Sequence, residues 1–225
     1  MFLVVAATEM EMRAFRKAVA GSLSWEPLIS GIGPMETAFS LTSRLERGRS
    51  GLQAVLHFGI AGAYLRSGGR GADMLDICLA EEEIFADLGV CYQDRVDHFT
   101  APELGVRNRF SLDRKLLQDA ATLLAREKIE FQQGRFLTVS CVSGTRKRGD
   151  MLADQFDGLC ENMEGAAVAR VCDAFLLPCL EIRCISNFVE DRDTGRWRLK
   201  QACTKAGATA ALVAEHLINQ HALMA

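Results

Sequence analysis

The chain has 225 residues, 49% of them hydrophobic and 24% charged, with a formal net charge of −3. Those proportions suit one folded domain, 1–225, with a buried core, and they exclude intrinsic disorder. The slightly acidic balance argues against a nucleic-acid partner, which calls for a basic face.

Phe2 to Ala7 reads as a buried strand. No basic segment precedes it, and Glu9 and Glu11 follow at once, so it is not an export signal. Met10 to Val19 has helical period, with Met12, Phe15 and Val19 on one side. Trp25 to Ser30 is a second strand and Pro34 to Arg47 a second helix; Gln53 to Phe58 and Met74 to Ala80 are further strands. Cys91 to Arg109 mixes charges with Pro102 and Gly105 and reads as a long, functional loop. Asp113 to Lys128 is an amphipathic helix, with Leu116, Leu117, Ala120 and Leu124 on its apolar face. Arg135 to Val139 is a strand, Asp150 to Phe156 a short helix, Met163 to Ala174 a helix and Pro178 to Ile185 a strand. Cys203 to His221 closes the chain as a helix. No run is long and apolar enough to span a bilayer, so a cytoplasmic protein away from membranes is expected. Alternating strands and helices predict an α/β layered fold with a parallel or mixed sheet. In such folds ligands bind beyond the carboxyl ends of the strands.

The eight cysteines form no Cys-x-x-Cys pair, and the four histidines form no cluster with them. They read as buried free thiols in a reducing compartment, with no metal site.

The segments after the strands carry the chemical signals. In Thr8-Glu-Met-Glu11 the carboxylates either compensate a helix dipole or supply a base toward water. Gly31-Ile-Gly33-Pro34 is turn chemistry and lacks the glycine spacing of a dinucleotide turn or a P-loop. Gly59-Ile-Ala-Gly62 either packs tightly or lets a ligand approach the backbone. Glu161-Asn-Met-Glu164 before Gly165-Ala-Ala167 is either a charged helix start or a carboxylate placed for a vicinal diol such as ribose. Ser186-Asn187 either starts a turn or presents an amide to a heterocycle. Asp191-Arg-Asp193 and Arg196-Trp-Arg198 are either a solvated loop or a grip on an aromatic carboxylate.

Taken in order, Ala6-Ala-Thr-Glu-Met-Glu11, Gly31-Ile-Gly33, Gly59-Ile-Ala-Gly62, Asn162-Met-Glu-Gly-Ala-Ala167 and Arg183-Cys-Ile-Ser-Asn187 resemble the nucleoside phosphorylase/hydrolase family. Its hydrolase branch includes methylthioadenosine/S-adenosylhomocysteine nucleosidases and futalosine hydrolases. Ala86-Asp-Leu-Gly89, Glu161 to Glu164 and Ser186-Asn-Phe-Val-Glu-Asp-Arg-Asp193 make the chain most similar to the futalosine hydrolases, which serve a menaquinone route. The resemblance implies a three-layer fold, a central twisted mixed sheet flanked by helices. It also implies a homodimer or higher homo-oligomer, a small nucleoside substrate, and neither metal nor organic cofactor.

By position, the resemblance makes Glu11 the carboxylate that activates water. Met163 and Glu164 hold ribose, Glu164 on its hydroxyls; Ile60 and Ala61 line sugar and base; Val142 and Ser143 lie over the base, and Ser186 sits beside it. Adenine-specific relatives carry Ser-Asp where this chain has Ser186-Asn187, and there the Asp protonates N7. An amide delivers no proton at neutral pH. It does match hypoxanthine, donating to O6 and accepting from N7–H, and such matched pairs reject a mismatched ligand by roughly 10⁴–10⁵-fold. The expected reaction is hydrolysis of an N-ribosyl bond through an oxocarbenium-like transition state, releasing hypoxanthine from futalosine. Arg192, Arg196 and Arg198, with Trp197 or Phe99 as an apolar wall, are candidates for the benzoate tail. The alternatives are a methylthioadenosine/S-adenosylhomocysteine nucleosidase, which Asn187 disfavours, and a purine nucleoside phosphorylase. Glu9 and Glu11 would repel the phosphate of the latter, and Arg13 is the cation in its favour.

Overall fold

The structure, a computed structural model, describes residues 1–19, 24–65 and 71–224. β1 (Phe2–Ala6) is buried along its whole length. Phe2, Val4 and Ala6 face one core and Leu3 and Val5 another. That is the period of two in a strand covered on both faces. α1 (Glu9–Ala18), β2 (Trp25–Ile29), α2 (Pro34–Glu46) and β3 (Ala54–Tyr64) follow. Next come β4 (Ile77–Phe85), β5 (Gly89–Cys91), β6 (Val96–His98), β7 (Arg109–Ser111), α3 (Arg114–Arg126) and β8 (Phe131–Thr138). The chain ends with α4 (Arg146–Phe156), β9 (Gly158–Asn162), α5 (Gly165–Phe175), β10 (Cys179–Val189) and α6 (Leu199–Met224).

Helices cover both faces of the sheet. Met12 and Phe15 of α1, Leu116 and Leu123 of α3, and Ala206 and Ala210 of α6 pack on the Phe2–Val4 side. Leu41 and Leu45 of α2 and Val168 and Cys172 of α5 pack on the Leu3–Val5 side. Leu152 and Phe156 of α4 close a third cluster over Tyr64, Leu137 and Val189. The expected three-layer α/β fold with a mixed central sheet is the fold observed.

The sheet places the site. β3 pairs with β10 in parallel along one edge, from Val55 to Tyr64. Along its other edge it changes partner: β1 pairs with Ala54 to His57, and β9 runs antiparallel to Gly62 and Ala63. β10 continues to β4, β4 to β8 and β8 to β9, so five strands close into a ring. Between the two partners, the edge of β3 from Phe58 to Ala61 has no ladder. Its backbone groups there must be satisfied by side chains.

Several boundaries differ from the sequence reading. β3 and β10 have 11 residues each, so Gly59-Ile-Ala-Gly62 and Ser186-Asn187 lie inside strands, not after them. Small and polar residues there hide a strand that continues into the site. β9 was not expected; only Leu159 and Cys160 are apolar in it, too few to show alternation. The acidic run Glu81-Glu-Glu83 hides the second half of β4, which starts at Ile77 and not at Met74. The Cys91–Arg109 segment carries β6, part of β5 and β7 besides loop. α5 begins at Gly165, leaving Met163 and Glu164 before it, while α4 and α6 begin earlier than expected, at Arg146 and Leu199. All eight cysteines are free and six are buried, but Cys91 and Cys141 are exposed, a correction to the all-buried reading. Among the described residues no helix is long and apolar enough to cross a membrane.

α1 lies directly on α6. A Cβ at Gly207 of α6 would stand 2.6 Å from Ala14 Cβ and 2.6 Å from Phe15 N of α1. Helix propensity alone favours Ala over Gly by about 1 kcal/mol, whereas overpacking costs about 1–3 kcal/mol. Gly207→Ala is therefore expected to lower stability in urea unfolding; an unchanged or raised midpoint would contradict this packing.

Candidate active site

A cavity of about 360 Å³ opens at the gap in the β3 edge. Glu11, Ile60, Ala61, Val142, Ser143, Met163, Glu164, Ser186 and Asn187 all line it. Five separate segments of the chain thus bring the residues singled out in the sequence to one place. A wider groove of about 450 Å³, between Ser111–Arg114 and Ala169–Cys179, gathers none of them.

Glu11 is the third residue of α1 and is 4% exposed. Thr8 caps the helix, and Glu11 answers with a capping box. Its Oε2 accepts from Thr8 N at 3.0 Å and from Thr8 Oγ1 at 2.6 Å. Its Oε1 accepts from Ile60 N at 3.2 Å, in the gap of β3. Glu9, by contrast, is exposed and pairs with Arg16 at 2.9 Å. Of these two carboxylates Glu11 lines the cavity and also completes the capping box, whereas Glu9 does neither. Arg13 is exposed and does not line the cavity.

Ile60 O accepts from Arg183 Nη1 at 3.2 Å. The same nitrogen lies 3.3 Å from Glu164 Oε2. Arg183 Nε donates to Glu181 Oε1 at 2.8 Å and Nη2 to Asn162 Oδ1 at 3.2 Å. The guanidinium is 1% exposed. Burial works against its charge, but Glu181, Glu164 and Glu11 hold it firmly protonated. Gly59 makes room: Arg183 Nη1 and Glu11 Oε1 lie 2.6 and 2.8 Å from where its Cβ would be.

Glu164 precedes α5 and makes no side-chain cap. Asn162 caps instead, its Oδ1 accepting from Glu164 N at 2.9 Å and Gly165 N at 2.8 Å. That frees the Glu164 carboxylate to reach Gly33 N at 3.2 Å and Arg183. Asn162 is held in turn by Glu83, whose Oε1 accepts from its Nδ2 at 2.6 Å. Burial and the neighbouring Glu181 push the Glu83 carboxyl well above the usual carboxylate range. Burial also opposes the charge of Glu181, yet His57 and Arg183 draw its pKa down to about 2. Gly165 leaves room here, since a Cβ would run into the Glu83 carboxylate and stand 2.6 Å from Glu181 Oε2.

Asn187 is placed by a bulge. The pairing of β10 with β3 steps from Ile185–Ala61 to Asn187–Gly62, leaving Ser186 as the extra residue. A bulge re-aims the side chains beside it. Ser186 Oγ donates to Asn187 Oδ1 at 2.8 Å, and Asn187 Nδ2 lies 3.0 Å from the absent Cβ of Gly62. On the far side of Gly62, in register, stands Glu161 of β9. It is 5% exposed and accepts from Ser143 N at 2.8 Å, Ser143 Oγ at 2.7 Å and Tyr64 OH at 3.2 Å. Burial raises its pKa, and those hydrogen bonds oppose the rise. Asp87 steadies the loop that carries Val142 and Ser143, accepting from Ser140 N at 2.9 Å.

At the mouth, the Arg192 guanidinium stacks on Trp197, 4.7 Å from the ring centroid. Both line the cavity; Arg196, Arg198 and Phe99 do not. Arg196 pairs with Glu190 at 3.0 Å, outside it.

Arg183, Glu161 and Asn162 stand inside the motifs quoted from the sequence but carried no individual role there. A signal for Arg183 was present. Glu181 and Arg183 alternate inside the apolar run Cys179 to Ile185, and His57 stands between Val55-Leu56 and Phe58, where only partnered charges survive burial.

The profile of the Phosphorylase superfamily matches residues 6–219 of the chain. Futalosine hydrolase of Thermus thermophilus is 34% identical over 227 residues, covering 96% of each chain. Futalosine hydrolase of Streptomyces coelicolor is 33% identical over 184 residues, 79% of this chain and 73% of that one. The fold is similar to a mutant futalosine hydrolase structure from Helicobacter pylori, with a TM-score of 0.82 at 18% identity, over 95% of this chain and 98% of that one. With its profile, its relatives and its fold in agreement, the chain belongs to the phosphorylase superfamily, in the branch that holds the futalosine hydrolases.

Proposed function

We propose that the chain hydrolyses the N-ribosyl bond of futalosine and releases hypoxanthine, in the cytoplasm and within a menaquinone route. The observation that carries this reading is the tie between two carboxylates through the β3 gap. Glu11 holds Ile60 N, while Arg183 joins Ile60 O to Glu164. The relatives in Thermus thermophilus and Streptomyces coelicolor support the choice of substrate.

Glu164 accepts the 2′ and 3′ hydroxyls. Arg183 and Gly33 N fix its orientation. Glu11 takes a proton from a water directed at the anomeric carbon. As the base departs, the sugar gains positive charge and the two carboxylates stabilise it. The bonding pair of the breaking C1′–N9 bond stays with the base, N7 takes a proton from water, and Asn187 meets the purine edge, accepting from that N7–H with Oδ1 and donating to O6 with Nδ2. A phosphate dianion in the place of that water would face Glu11 and Glu164. The buried arginine beside the two carboxylates, Arg183, is already engaged by Glu181 and Glu164. Hydrolysis is favoured over phosphorolysis on that ground.

Arg192 is the arginine of its segment that lines the cavity, and Trp197 beneath it supplies an aromatic face. Together they suit the benzoate tail. Ile32, Met35 and Phe39 are 61%, 81% and 70% exposed at the start of α2, and Ile32 lines the cavity mouth. This apolar patch supports a homodimer whose interface runs past the site.

Purified protein in phosphate-free buffer should release hypoxanthine from futalosine at full rate and leave methylthioadenosine almost untouched; strict phosphate dependence or a preference for methylthioadenosine would overturn the assignment. Glu11→Gln should lower kcat by about 10²–10⁴-fold, with near-native turnover contradicting the role of base. Arg192→Ala should raise KM for futalosine and leave inosine unaffected, whereas equal effects on both would remove Arg192 from the tail site. Phe39→Glu is expected to yield monomers in analytical ultracentrifugation; an undisturbed dimer would place the interface elsewhere.

A further inference from the structure

We propose that Glu161 reads the N1–H of a 6-oxopurine and, with Asn187, sets the preference for hypoxanthine over adenine. This rests on the preceding reading of the cavity as a nucleoside site and deepens it. Glu161, Gly62 and Asn187 stand in register on three adjacent strands. Neighbouring strands lie about 4.8 Å apart, so roughly 10 Å separates the backbones of the two polar residues. Gly62 contributes no side chain between them, and all three line the cavity.

The order of polar atoms across that space is informative. Ser186 fixes Asn187 Oδ1 on its own side, and Nδ2 lies beside Gly62, giving one hydrogen to Phe188 O at 3.1 Å and keeping the second for a ligand. Beyond Gly62 comes the Glu161 carboxylate. Acceptor, donor, acceptor is therefore the sequence that a base edge meets. A 6-oxopurine presents N7–H, O6 and N1–H in that order, a complement at each position. A 6-aminopurine presents an amine at C6 and a bare lone pair at N1, which would face the carboxylate.

Glu161 is built as an acceptor. Ser143 N is an obligate donor to Oε1, and the Ser143 and Tyr64 hydroxyls converge on Oε2. Oε1 has a lone pair to spare after its bond to Ser143 N. The carboxylate serves neither the helix cap nor the buried guanidinium: Asn162 caps α5, and Arg183 pairs with Glu181 and Glu164.

The test is equilibrium binding of hypoxanthine, 1-methylhypoxanthine and adenine to the full chain by calorimetry. The wild type should bind hypoxanthine at least tenfold tighter than either other base. In Glu161→Ala, which removes the acceptor and opens space, the penalty for N1 methylation should vanish and the adenine penalty shrink about tenfold or more. Glu161→Gln, which keeps an uncharged acceptor in the same volume, should show intermediate ratios and provides the measurement if the alanine variant fails to fold. Equal wild-type affinity for hypoxanthine and 1-methylhypoxanthine would overturn the proposal. Ratios unchanged in both variants would do the same, because a merely structural role shifts all three ligands together. Failure of the underlying reading looks different: no base binds and futalosine releases no hypoxanthine.

Discussion

A buried guanidinium at the point where two strands part company with a third is the constraint on which this molecule depends. β3 loses β1 after His57 and gains β9 only at Gly62. The unladdered backbone between them would be a defect without partners. Arg183 fills it from the neighbouring strand, and Glu11 fills it from the first helix. A charge so deeply buried is tolerated only when fully paired. Glu181 on its own strand and Glu164 at the head of α5 pair it. The glycines follow from this crowding. Gly59 yields space to Arg183 and Glu11, and Gly165 yields space to Glu83 and Glu181.

The same arrangement makes chemistry available. The two carboxylates are anchored on different elements, and each is restrained at both oxygens. Glu11 is fixed by Thr8 and Ile60, and Glu164 by Gly33 and Arg183. Fixed anionic groups facing one carbon stabilise a cationic sugar without reorganising at the moment of reaction. The base side is separate in origin. It is built from the bulge at Ser186 and the β3–β9 pairing, on elements that do not carry Glu11 or Glu164. Asn187 and Glu161 belong to that side.

Much of this was legible in the amino-acid sequence, and for particular reasons. β1 reads correctly because both its faces are apolar. α1 and α3 read correctly because their buried positions recur at helical spacing. Glu11 and Glu164 stand in short motifs whose residue types match ribose and water chemistry. The illegible parts are those where the site itself changes the sequence. The upper halves of β3 and β10 carry glycines, Ser186 and Asn187 in place of the apolar residues that signal a strand. β9 is too short for a periodic signal, and its Glu161 and Asn162 look like a helix start. Arg183 was visible only as a charge within an apolar run. Its partners come from residues 57, 60, 162, 164 and 181, most of them a distance no local pattern spans.

The most direct measurement is a crystal structure of the protein with a non-hydrolysable 6-oxopurine ribonucleoside analogue. The 2′ and 3′ hydroxyls should lie within hydrogen-bonding distance of the Glu164 carboxylate. A water should stand between Glu11 and the anomeric position. A sugar bound away from Glu164, or an anomeric position out of reach of any water held by Glu11, would contradict the union of the two carboxylates in one reaction.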